Sequence, residues 1–128
     1  MQKEQLNAIT EKIVENTSEE NGYFVVARKM NHSTDFVKNL AYNLRARKSN
    51  LVMVIGSESA GKATLTIMLG DDVVAKGVDA GAVVREAAKA IQGGGGGQRF
   101  FATAGGKNPD GLTEAIEKAK ELIFAALN

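Results

Sequence analysis

Leu51-Val52-Met53-Val54-Ile55 is an unbroken apolar run between turn-forming residues. As a strand it would need both faces covered, because successive side chains point to opposite sides of a sheet. Further on, Ala63, Leu65, Ile67 and Leu69 alternate with Thr64, Thr66 and Met68, the period-two signature of a half-buried strand. Between them, Gly56-Ser57-Glu58-Ser59-Ala60-Gly61-Lys62 matches the first seven positions of a phosphate-binding P-loop. That motif needs Ser or Thr next, to hold magnesium, and a helix opening after it, to hold the phosphates. Here Ala63 follows, and the next segment is a strand. Gly56 to Lys62 therefore reads as the turn of a β-hairpin.

The flanking segments alternate in type. Leu6, Ile9 and Ile13 make a narrow helical seam, broken at Asn21-Gly22. The seam starts with no capping signal before it, so residues 1–20 read as the end of a longer helical segment. The other reading is a short amphipathic helix on the domain's own core. Tyr23 to Ala27 reads as a strand and Thr34 to Lys48 as a helix with Phe36, Val37, Leu40, Ala41 and Leu44 on its apolar face. Val73 to Lys76 suggests a short strand. Asp79 is an N-cap for a helix ending near Gln92, and Arg99 to Ala104 reads as a last strand. Asn108 then caps a final helix with Pro109 at its first position. This order predicts an α/β fold, a mixed sheet of about five strands covered by helices, with 21–128 as the globular domain.

Several functional classes have little room here. There is no cysteine, and His32 is the only histidine, so thiolate metal sites, disulfides and Ser-His-Asp chemistry lack their residues. Met1-Gln2-Lys3-Glu4 is polar and unlike a signal peptide, and no apolar run could cross a bilayer, so a cytoplasmic protein with no membrane partner is expected. With 16 basic and 15 acidic residues the net charge is only +1, so an RNA surface would need local clustering of Lys and Arg.

The most unusual local feature is Gly93-Gly94-Gly95-Gly96-Gly97. One glycine would end the preceding helix in a left-handed cap; five exceed what a cap needs. The run reads either as a flexible loop or as bare backbone that curls around a phosphate or a base edge. Gly105-Gly106-Lys107 lies just before the last helix, so two glycine segments flank one short strand, and the second leads toward a positive helix N-terminus.

From Gly93 through Gln98-Arg99-Phe100-Phe101-Ala102-Thr103-Ala104-Gly105-Gly106-Lys107-Asn108-Pro109, the chain resembles the C-terminal domain of bacterial alanyl-tRNA synthetases. Its wider family is the DHH-associated domain, which also closes DHH-type phosphoesterases. Val74-Ala75-Lys76-Gly77-Val78-Asp79-Ala80-Gly81 is similar to the synthetase version. The resemblance is strongest over roughly the last 75 residues and follows element order before that. It departs where the family more usually has Arg-Pro after the glycines and this chain has Gln98-Arg99.

The resemblance implies a non-catalytic domain that binds the outer corner of tRNA-Ala and supports aminoacylation and editing. It implies no cofactor in this domain; ATP, Mg and Zn would belong to the other domains of the ligase. Those domains and tRNA would be its partners. The implied RNA contacts are Gly93, Gly94, Gly95, Gly96, Gly97, Arg99, Gly105, Gly106 and Lys107. Helical spacing adds Lys38, Tyr42, Arg45 and Lys48 opposite the apolar stripe, with Arg47, Arg28 and Lys29 near them. A solvated helix face with cations near its C-terminus is the plainer reading of that set. Two other functions stay open. One is the substrate-binding part of a DHH-type phosphoesterase, although the usual His at the glycine run is missing. The other is a homodimerisation module built on the N-terminal seam or the last helix.

Overall fold

The computed structural model describes residues 3–128; Met1 and Gln2, from the polar N-terminal stretch, lie outside the described residues. The strands are β1 (Glu19–Glu20), β2 (Tyr23–Lys29), β3 (Leu51–Ser59), β4 (Lys62–Leu69), β5 (Gly93–Gly97) and β6 (Phe101–Gly106). The helices are α1 (Lys3–Asn16), α2 (Thr34–Arg47), α3 (Asp71–Ala75), α4 (Ala80–Ala87) and α5 (Leu112–Leu127). One mixed sheet in the order β1-β2-β3-β4-β6-β5 forms the middle layer. Only β2 and β3 pair in parallel, joined through α2; the other neighbours are antiparallel. The expected α/β class with a mixed sheet is observed, with six strands instead of about five.

The central hairpin sets the layers. Val52 and Val54 of β3, with Ala63, Leu65, Ile67 and Leu69 of β4, face the core under α4 and α5. Leu51, Met53, Ile55 and Met68 face the opposite core under α1 and α2. Strand β3 is thus buried on both faces, as its unbroken apolar run requires. Strand β4 was expected to be half-buried, but Thr66 and Met68 are buried as well, because α2 lies over that face. The hairpin reading of Gly56 to Lys62 holds, with a tighter turn: β3 continues to Ser59, and only Ala60 (φ 53°) and Gly61 (φ 77°) form the bend. Gly56 lies inside β3, where α5 packs close: a Cβ there would sit 3.0 Å from Ile116 and Leu112 side-chain carbons.

Six other expectations change. Val73–Lys76 is not a strand: Asp71–Ala75 is helical, with Asp71 and Asp72 at the positive end and Val74 N–H donating to Gly70 O at 3.1 Å. The Asp79-capped helix stops at Ala87 and tightens into a 3₁₀ turn, Ala88–Ile91. Its left-handed closing residue is Gln92 (φ 53°), not Gly93. The last strand runs from Phe101 to Gly106, so Gly105 and Gly106 are strand residues. Pro109–Gly111 form a 3₁₀ turn before α5 begins at Leu112, and Asn108 makes no capping hydrogen bond through its side chain. The second glycine segment therefore does not open directly onto an α-helix N-terminus. Helix α1 already ends at Asn16, so Asn21 (φ 55°) and Gly22 (φ 85°), expected to break it, instead turn the β1–β2 hairpin.

The N-terminal seam is used within the domain. Leu6 and Ile13 are buried with the apolar face of α2, and Thr10 accepts a hydrogen bond from Asn43 Nδ2 at 3.3 Å. No helix of the described residues is long and apolar enough to cross a membrane.

Candidate nucleic-acid interface

The glycine run is a strand, not a loop. Gly93 to Gly97 pairs antiparallel with β6, Gly94 opposite Gly105 and Gly96 opposite Thr103, at the edge of the sheet. The cause is non-local: a glycine run has no side-chain period of its own, and the free edge of β6 supplies its ladder. The five positions are not equivalent. A Cβ on Gly95 would lie 2.1 Å from Thr103 O and 2.5 Å from Ala104 Cα; one on Gly93 would lie 1.9 Å from Gly105 O. A Cβ on Gly94 would meet nothing within 4 Å, and one on Gly96 only Arg85 Nη1 at 3.6 Å. Alternate glycines thus allow β5 and β6 to approach closely, while Gly94 and Gly96 leave one surface bare.

Helix α2 covers β3 and β4 on its side of the sheet and leaves β6 beyond them uncovered. The result is a groove of about 410 Å3. Its α2 wall is Thr34, Asp35 and Lys38; its floor is Thr64, Thr66, Thr103, Ala104 and Gly105, and Phe101 lies at one end. The register sets Thr64 beside Gly105 and Thr66 beside Thr103, so hydroxyls and bare backbone pave the floor. Tyr42, the one exposed large hydrophobic among the described residues, stands further along α2. Its ring centroid is 5.7 Å from that of Phe101 and 6.5 Å from that of Phe100.

The two sets of residues expected from sequence meet only in part, at Lys38 and Gly105. Lys38 and Tyr42 of α2 run alongside β6, and Gly105 lies across the groove from Lys38, while Gly94 and Gly96 are one strand further out, paired with Gly105 and Thr103. Arg99 is exposed in the β5–β6 turn and Lys107 is exposed past the other end of β6. Lys48 lies elsewhere: its Nζ sits 5.1 Å from the Phe24 ring centroid. Arg47 pairs with Glu11 of α1; the hydrogen bond and then the charge of Glu11 raise the guanidinium above its ordinary pKa. Arg45 is also engaged within the domain, through Leu69 O, Asp71 and Phe100. Arg28 and Lys29 end β2, with Arg28 beside Lys12 and Met30 in a separate groove. His32 stacks on Phe36 with ring centroids 4.2 Å apart.

Sequence reasoning missed Asp35, Thr103 and the Phe100–Phe101 pair. The signals were present: Thr103 alternates with buried Ala102 and Ala104, and two adjacent aromatic residues stand just past the glycine segment, after Gln98-Arg99.

A family model described as the DHHA1 domain matches residues 21–125. The chain belongs to the DHHA1 domain family. Among its relatives, this DHHA1 domain is 50% identical over 121 residues to an alanine–tRNA ligase of Bacteroides fragilis, covering 94% of this chain and 14% of that protein. It is 39% identical over 117 residues to the alanine–tRNA ligase of Myxococcus xanthus, covering 91% of this chain and 13% of that protein. The DHHA1 domain is also similar to the C-Ala domain of alanyl-tRNA synthetase from Aquifex aeolicus. There the TM-score is 0.73 at 30% identity, over 84% of this chain and 97% of that one. The domain is thus of the C-Ala type and spans about one-seventh of the length of the ligases it matches.

Proposed function

We propose that this DHHA1 domain is the tRNA-binding tail of an alanine–tRNA ligase, without catalytic chemistry or cofactor of its own. On this reading it holds tRNA-Ala by the outer corner, in the cytoplasm, while other domains of the ligase aminoacylate and edit. The observation that carries the reading is the groove, which sets a lysine and a tyrosine of α2 beside a floor of hydroxyls and bare backbone. Lys38, Arg99 and Lys107 supply cations for phosphates. The exposed Tyr42 ring, backed by Phe101, offers a face for a base. Thr64 and Thr103 can donate to or accept from ribose hydroxyls. Gly94 and Gly96 let a backbone or a base lie flat against the strand. The phosphoesterase reading gains no support from the relatives described above, which are ligases.

Titrating the chain with tRNA-Ala and with an unrelated tRNA at several salt concentrations tests this. Binding should weaken with salt at a log–log slope of roughly −2 to −5, as for a few phosphate contacts. Lys38→Ala should reduce that slope in magnitude by about 1, while Tyr42→Ala lowers affinity and leaves the slope alone. Absence of tRNA binding, or an affinity independent of salt, rejects the proposal.

A further inference from the structure

Helical spacing put Arg45 among the outward-facing cations of α2, but its guanidinium is occupied inside the domain. Nε donates to Leu69 O at 3.1 Å, Nη2 pairs with Asp71, and Cζ lies 4.6 Å from the Phe100 ring centroid. Leu69 is tied on its other side too, since its N–H donates to Phe100 O at 2.8 Å. Phe100 stands in the β5–β6 turn, which closes through Gln98 N–H to Phe101 O at 2.8 Å. From the next layer, Ala80 N–H donates to Arg99 O at 2.9 Å. Strand β5 has no side chain of its own, and only its backbone packs under α4, where a Cβ on Gly81 would lie 3.1 Å from Gly97 O. Its position comes from the β6 ladder, from α4 and from this turn.

We infer that Arg45 is a positioning residue: it fixes the Phe100 turn and through it the glycine strand, and it is not itself a phosphate contact. The geometry uses both properties of a guanidinium, hydrogen bonds at the edge and a flat face on a ring, which an ammonium cannot combine. Pairing with Asp71 also lowers the net field Arg45 could offer a phosphate. The inference rests on the tRNA reading for its functional consequence but not for its structural content.

Three variants of the 128-residue chain test it: Arg45→Met, Phe100→Leu and Asp71→Asn. Each is followed by tRNA titration against salt and by NMR with amide hydrogen exchange at Gly93 to Gly97. If the turn-competent fraction falls to about a fifth, apparent affinity falls about fivefold for Arg45→Met and Phe100→Leu alike. The salt slope stays at the wild-type value, and the glycine amides shift and exchange faster. Asp71→Asn should weaken binding as well, although it removes a negative charge and would strengthen a purely electrostatic contact. A drop of about 0.9 in slope magnitude for Arg45→Met would mark it as a phosphate contact and overturn the inference. Tighter binding by Asp71→Asn, or unchanged glycine amides in Phe100→Leu, would overturn it too. Should Arg45→Met fail to fold, the other two variants decide. If the wild-type chain binds no tRNA, the functional reading fails, and glycine amide exchange still decides whether Arg45 and Phe100 hold the strand.

Discussion

Substituting alanine at Gly95 and, separately, at Gly94 separates close approach from mere flexibility in the glycine strand. The two positions are neighbours in sequence with the same residue type, and both are exposed. At Gly95 the new Cβ would fall 2.1 Å from Thr103 O, 2.5 Å from Ala104 Cα and 2.7 Å from Ala104 Cβ. Relief requires β5 to move off β6 by about 1 Å, which breaks or stretches ladder bonds worth about 1 kcal/mol each. Overpacking of this kind costs about 1–3 kcal/mol. Gly95→Ala should therefore lose about 2–3 kcal/mol. With the entropy of unfolding of a domain this size, that is a fall in Tm of about 7–11 °C. At Gly94 a Cβ meets nothing within 4 Å. Gly94→Ala should stay within about 0.5 kcal/mol of wild type, because no contact opposes it and the unfolded chain loses freedom. Urea and thermal unfolding followed by circular dichroism measure both. Equal losses in the two variants, or no loss at Gly95, would refute the argument that alternate glycines permit the strand pairing. The same geometry makes Gly94→Val, not Gly95→Val, the substitution that probes the surface without disturbing the fold.

Other outcomes follow from the same geometry. The chain should not bind ATP through Gly56 to Lys62, because that segment is two strands and a tight turn; calorimetry with MgATP should give no heat that Lys62→Ala removes. Leu40→Ala, at a fully buried position between α2 and the sheet, should cost about 2–5 kcal/mol in urea unfolding. Asp79 Oδ1 accepts from Gly81 N–H at 2.9 Å, so Asp79→Ala should cost about 1 kcal/mol, with Asp79→Asn recovering most of it.

Much of the fold was legible because side-chain periodicity is a local property. The unbroken run from Leu51 to Ile55 required a strand covered on both sides, and the alternation after Lys62 excluded the P-loop. The stripe on Thr34 to Lys48 named the residues that α2 buries. The weaker readings have particular causes. Val73 and Val74 are β-branched and suggested a strand, but they follow Gly70, whose backbone packs so close to Ser49 that a Cβ would lie 2.2 Å from Ser49 O. The chain turns there and starts a helix on two aspartates. Of the four α2 residues expected to face RNA together, Lys38 and Tyr42 line the open side. Arg45 and Lys48 are drawn onto Phe100 and Phe24, partners far away in sequence.

The sequence by itself determined which segments carry a helical or strand period, which faces they bury, and, through the Gly-Gly-Lys-Asn-Pro segment after the glycine run, the family. Tertiary structure alone decided the state of Gly93 to Gly97. Five residues without side chains have no period to read, and their conformation is set by whichever backbone offers a ladder, here β6. It also decided the groove, because whether α2 stops short of β6 depends on helix placement over the sheet and not on any one segment.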